Sequence, residues 1–178
     1  MRQVDRVVIV VFDGLRPDMI AGRMPALQAF LRDNLWFRNA RSVFPSLTRV
    51  CSTSVSTGAW PGRHGIVNNA FHLNGDLAGA MVDTARLDHL VALTERTGAI
   101  VTADSLGQRL AAAGRSMVAI HCGSAGSGLL VNHAVREVGQ RTFSIHGAKA
   151  TLTPEIVAEV LATCGPLPHQ DVPKLDVV

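Results

Sequence analysis

The sequence predicts an α/β fold, with a mostly parallel sheet flanked by helices. Three observations carry that expectation. Residues 6–12 (R-V-V-I-V-V-F) are continuous, apolar and β-branched, the pattern of a strand buried on both faces, as in a parallel sheet. Residues 102–113 (T-A-D-S-L-G-Q-R-L-A-A-A) read as a helix closed by Gly114, and the apolar run 116–121 (S-M-V-A-I-H) follows, in the order of a βαβ unit. Residues 153–162 read as a further helix, with Thr153 as N-cap, Pro154 at the first position, Glu155 in the first turn and Gly165 past the end.

Bulk properties narrow the class. The chain has 178 residues, which fits one domain with a sizeable core, and 47% of them are hydrophobic, which excludes disorder. No apolar run approaches the ~20 residues a membrane span requires. The N-terminus lacks the apolar stretch of about 7–15 residues that marks a signal peptide, so a cytoplasmic location is expected. Net charge is +3, the basic residues are scattered and tyrosine is absent, so a surface for a nucleic-acid duplex is not expected. Cys51, Cys122 and Cys164 are odd in number and far apart, which argues against a disulfide framework or a structural zinc site.

Taken in order, the first strand stops abruptly at Asp13-Gly14. An acidic residue at the C-terminal end of a buried strand stands where α/β folds place ligand chemistry. Pro17 then suits the first turn of a helix. Residues 24–35 carry Leu27, Phe30 and Leu31 at helical spacing. Residues 37–44 read as a second strand. A short helix starts at Thr48 and stops at Gly58, and a turn covers 60–65. Residues 65–73 read as a short strand or hairpin arm with a turn signal at Asn68-Asn69, and Asn74-Gly75-Asp76 is another turn. Residues 77–96 read as an irregular, partly helical excursion. Thr102 or Asp104 caps the next helix. The Gly-Ser run 123–128 reads as a flexible connection, 129–138 as a short helix or loop, and 141–146 as a strand. The tail L-D-V-V reads as the lead-in to another buried strand.

Two residues stand out for chemistry. Asp13 is either a metal ligand or the N-cap of the turn after it. Thr48 is either an N-cap or a hydroxyl held where helix N–H groups favour a phosphate. A Thr hydroxyl is a weak nucleophile and needs a base or a metal. No Ser-His-Asp order and no G-x-S-x-G elbow is present, so a metal is the more economical activator, with Asp13 among its ligands. Of the seven histidines, His64 reads as structural, and His121, at a strand end, is the better ligand candidate among the rest. The 123–128 run could also cradle an anion. Cys51 lies one helical turn after Thr48, as a packed neighbour or a reactive thiol.

In this order and spacing, V-V-I-V-V-F-D-G-L-R-P-D-M-I, then F-P-S-L-T-R-V, then S-T-G-A-W-P-G-R-H-G-I-V-N-N resembles the alkaline phosphatase superfamily, in particular the type I phosphodiesterase/nucleotide pyrophosphatase family. The resemblance implies an alkaline-phosphatase-like α/β fold and a site with two divalent metal ions, usually zinc. It implies Asp13 as a metal ligand, and Thr48 as the nucleophile that also touches metal and passes through a covalent phospho-enzyme. It implies a small phosphoester or nucleotide substrate. Cys51 occupies the position where members commonly carry an Asn that donates to a phosphoryl oxygen, and losing such a donor can cost ~3 kcal/mol of transition-state stabilisation. Residues 51–55 do not fit the C/S-x-P-S/A-R pattern of the sulfatase branch. The family's later Asp-x-x-x-His, Asp-His and final His ligands have no counterpart here. The expectation is therefore that 1–178 is the N-terminal portion of a single catalytic domain, with an incomplete second metal site. The alternative is a truncated or degenerate member that binds a phosphate-like ligand, or pairs with another chain through an unfinished sheet edge.

Overall fold

The computed structural model describes residues 4–73 and 81–167, and the chain divides into two units, Met1–Arg41 and Ser42–Val178. In the first unit, α1 (Pro17–Ile20) and α2 (Pro25–Asp33) each begin on a proline, whose fixed φ and missing N–H suit the first helical position. Neither helix buries a residue.

The expected strand at 6–12 does not form. Residues 7–12 are 56–75% exposed, and no strand lies elsewhere in the described part of this unit. A parallel strand exists only through its ladder with neighbours, and the unit provides none. The second expected strand, 37–44, is also irregular, with Phe37 and Phe44 exposed.

In the second unit the elements run α3 (Thr48–Thr57), α4 (Pro61–His64), β1 (Ala70–His72), β2 (Met81–Asp83), α5 (Leu87–Thr97), α6 (Leu106–Ala112), β3 (Val118–His121), α7 (Ala125–Val131), β4 (Arg141–Ser144), a 3-10 turn (Ala148–Ala150) and α8 (Glu155–Cys164). Strands β1 and β2 pair antiparallel, from Ala70 opposite Asp83 to His72 opposite Met81. Strands β3 and β4 pair parallel, from Val118 beside Arg141 to His121 beside Ser144, with α7 as the crossover. This mixture of helices and small sheets is compatible with an α/β fold, although among the described residues each sheet has two strands.

Several local expectations shift. The 77–96 stretch holds β2 and most of α5, and the i, i+3 spacing of Leu87, Leu90 and Leu93 is the signal for that helix. Helix α6 is capped by Ser105, in place of Thr102 or Asp104. Its Oγ accepts from Gln108 N at 3.1 Å while Gln108 Oε1 accepts from Ser105 N at 2.7 Å, a capping box. Thr102 instead donates to the Arg63 carbonyl at 2.6 Å. Thr153 does not cap α8. Its hydroxyl accepts from Thr142 N and donates to Thr142 O, both at 2.9 Å, and so pins the chain to β4. Strand β3 is only half-buried, with Val118 52% and Ile120 72% exposed. The turn expected at 74–76 and the strand expected at the tail lie outside the described residues.

The Gly-Ser run is not a flexible link. It starts α7, with Ser124 as N-cap. Its glycines are there for close packing. A Cβ at Gly126 would fall 2.2 Å from the Thr84 carbonyl oxygen, and one at Gly128 would fall 2.2 Å from the His121 ring. The main core joins α3, α5 and α7 through Val50, Ile66, Leu90 and Leu130, all fully buried. A second cluster, Phe143, Ile156 and Val157, seats α8 on β4.

Candidate active site

Pro45 and Ser46 lead into Leu47, whose backbone is extended (φ −104°, ψ 148°), and the chain turns helical at Thr48. Leu47 is therefore the N-cap and makes no side-chain cap bond; Thr48 is the first helical residue. This removes the N-cap reading of Thr48. The side chain of Thr48 is exposed. Cys51 follows at i+3, on the same face and half-buried, with its N–H donating to Leu47 O at 2.8 Å. At the other end Gly58 takes the left-handed conformation (φ 67°) and donates to Ser54 O at 2.8 Å, as a C-cap.

The composition of α3, T-R-V-C-S-T-S-V-S-T, is poor for an isolated helix. Packing holds it. Val50, Thr53, Ser56 and Thr57 are buried. The buried hydroxyls are all bonded. Thr53 Oγ1 donates to Arg49 O and Thr57 Oγ1 to Thr53 O, each at 2.7 Å, while Ser56 Oγ donates to Leu130 O of α7 at 2.9 Å. Most of the hydroxyl cluster thus faces the core, and Thr48 faces solvent.

Two contacts absent from the sequence reading fix the surroundings of the helix. Arg49 reaches the β1–β2 hairpin, where its Nε donates to Thr84 Oγ1 at 2.6 Å. Burial pulls the pKa of Arg49 below its ordinary value and Asp83 opposes the shift. His64 is fully buried and links α4 to α3. Its Nδ1 accepts from Ile66 N at 3.1 Å, which places the proton of the neutral ring on Nε2, 2.9 Å from Ser54 Oγ. The imidazole therefore donates to Ser54 and is not a base for it. Burial also lowers its pKa, against an opposing effect of its own backbone. His64 is structural, as its Gly-flanked turn suggested.

His121 packs on Gly128 with its pKa lowered by burial. The anion-cradle reading of the Gly-Ser run loses three of its six amides to hydrogen bonds within the protein. Gly126 N donates to Ala85 O, Ser127 N to Ser124 Oγ, and Gly128 N to Ser124 O.

Asp13 lies in the first unit, exposed, on the turn in which Leu15 N bonds to Phe12 O at 3.3 Å. Thr48 and Cys51 lie in the second unit. Among the described residues no three His, Cys, Asp or Glu side chains are grouped to hold a metal ion. Also among them, no helix is long and apolar enough to cross a membrane.

No curated protein and no solved structure matches the chain. A family model described as type I phosphodiesterase / nucleotide pyrophosphatase matches residues 7–129, more than half of the sequence. The matched span contains Asp13, Thr48, Cys51 and the whole of α3.

Proposed function

Since the chain belongs to the type I phosphodiesterase/nucleotide pyrophosphatase family of hydrolases, we propose that it carries the nucleophile of a phosphoester hydrolase, and that the nucleophile is Thr48. The observation that carries this reading is the position of Thr48. It is exposed on the first residue of a helix that buries Thr53, Ser56 and Thr57, so a substrate phosphoryl group can reach it beside the helix N-terminus. In the proposed reaction the Thr48 hydroxyl releases its proton to solvent as its oxygen bonds to phosphorus. The bond to the leaving oxygen breaks, and that oxygen departs with the electron pair. Water then cleaves the phospho-threonine. The substrate is a small phosphoester or nucleotide.

The family is generally metal-dependent. We propose Asp13 as a metal ligand and Thr48 as a metal contact, with two zinc ions as the expected complement. Two side chains cannot hold two ions at once, and the described residues offer no three-ligand group. Asp13 and Thr48 therefore each supply one contact of a larger ligand set.

The test is hydrolysis of bis(4-nitrophenyl) phosphate together with measured zinc content. Thr48→Ala and chelation should each lower turnover by at least ~100-fold. Wild-type protein that binds no zinc and shows no Thr48-dependent turnover would sink the enzyme reading. Cys51 favours a second reading, a non-catalytic member that binds a phosphate-like ligand, because a thiol beside Thr48 is a weaker donor than an amide. Vanadate binding without turnover is the result that selects it.

A further inference from the structure

The geometry points to Arg49 as a positioning residue that clamps the first turn of α3, and with it Thr48, onto the β1–β2 hairpin. The inference takes Thr48 as nucleophile from the proposed function and adds how its hydroxyl is held in place. Arg49 directly follows Thr48, and its side chain is only 18% exposed. The hairpin grips this residue twice. The Arg49 backbone N–H donates to Asn69 Oδ1 at 3.2 Å. The guanidinium donates from Nε to Thr84 Oγ1 at 2.6 Å and from Nη2 to Asn69 O at 3.4 Å, and Nη2 lies 3.7 Å from Asp83 Oδ1.

The receiving side is itself hydrogen-bonded. Asn69 and Thr84 continue the hairpin ladder by one pair, with Thr84 N and Thr84 Oγ1 both donating to Asn69 O, at 2.9 and 2.6 Å. Thr84 is fully buried, and its hydroxyl accepts from Arg49 while donating to Asn69.

The clamp has a specific task. The first amides of a helix lack intrahelical partners and the first turn frays. Leu47 cannot cap α3 with its side chain. Asn69 takes the Arg49 amide from outside the helix in its place, and the guanidinium fork ties the same residue to the hairpin. Thr48 is one peptide bond away. A nucleophile displaced by about 1 Å can lose ~100-fold in rate, so a tether next to it acts on kcat. The hydrogen bonds of the guanidinium described above go to the hairpin, and Asp83 offsets its charge, so substrate binding should be indifferent to it.

Arg49→Ala, Arg49→Lys and Asn69→Ala test this in two arms, with thermal melts confirming that each variant folds. The first arm needs no activity. In all three variants the amides of 49–51 should exchange with deuterium at least ~10-fold faster, while those of α5 and α7 keep their rates. In the second arm, with zinc-supplemented protein and bis(4-nitrophenyl) phosphate, kcat should fall at least ~10-fold and KM stay within about twofold. Lysine keeps the charge but has no planar fork, so Arg49→Lys should behave like Arg49→Ala. Unchanged exchange, a raised KM with kcat intact, or full rescue by lysine would overturn the clamp. If Thr48→Ala proves as active as wild type, the nucleophile assignment fails instead, and the exchange arm still decides whether Arg49 orders the turn.

Discussion

The most apolar stretch of this chain is among its most exposed, and one of its most hydroxyl-rich stretches is among its best buried. Residues 7–12 are V-V-I-V-V-F and leave more than half of each side chain in solvent. Helix α3 is T-R-V-C-S-T-S-V-S-T and buries Val50, Thr53, Ser56 and Thr57. The difference is one of partners. A strand needs a ladder on both edges and cover on both faces before its apolar surface leaves water. The helix closes its own backbone bonds, and each of its buried hydroxyls finds a carbonyl within the helix or on α7. Burial thus follows the availability of complementary groups more closely than it follows hydropathy.

The sharpest way to break this contrast is to substitute on both sides of it. Leu130 of α7 is fully buried against α3, and Leu130→Ala should cost about 2–5 kcal/mol in urea unfolding, through lost transfer energy and the cavity left behind. Val10→Ser, in the exposed run, should stay within about 0.5 kcal/mol. If Val10→Ser costs as much as Leu130→Ala, the run is covered in solution and the contrast fails.

A smaller effect tests why hydroxyls are tolerated inside. Ser56 Oγ donates to Leu130 O at 2.9 Å and to Thr53 O at 3.1 Å. Ser56→Ala should cost about 0.5–1.5 kcal/mol, the net worth of such a bond. A neutral or stabilising result would mean that apolar packing alone seats α3 on α7.

What could be read in the sequence was local. Pro17 at a helix start, and Gly58, Gly114 and Gly165 where helices end, depend on φ preferences that neighbouring residues hardly alter. The βαβ unit was misplaced: the sequence put residues 102–113 in the role of its helix, whereas β3 pairs with β4 across α7, a crossover that looked like a linker. Gly126 and Gly128 signal flexibility in one dimension and close approach in three, and only the carbonyl of Thr84 and the ring of His121 decide between them. The strand at 6–12 failed because ladder partners are not a property of the segment itself. The site divides in the same way. Thr48 is proposed from its short-range motif. Arg49 was missed because its partners lie 20 to 35 residues away, and Asn69 had been read only as a turn signal.

The smallest effect concerns protons at the buried link beside the helix. The folded state holds His64 neutral, because burial lowers its pKa and its two ring nitrogens are already engaged, one by Ile66 N and one by Ser54 Oγ. In the unfolded chain the imidazole takes a proton near its ordinary value of about 6.5. Below that pH the unfolded state binds more protons than the folded one, so this stability is fully present above the unfolded value and is lost as pH falls from there towards the lower folded pKa. His121 and His133, also shifted down by burial, add in the same direction. Urea midpoints should therefore drop between pH 7.5 and pH 5.5, and His64→Gln should flatten that slope while lowering stability at both ends. An unchanged slope in His64→Gln would assign the pH dependence to His121 and His133, and would mean that the α3–α4 link tolerates a charged imidazole despite its burial.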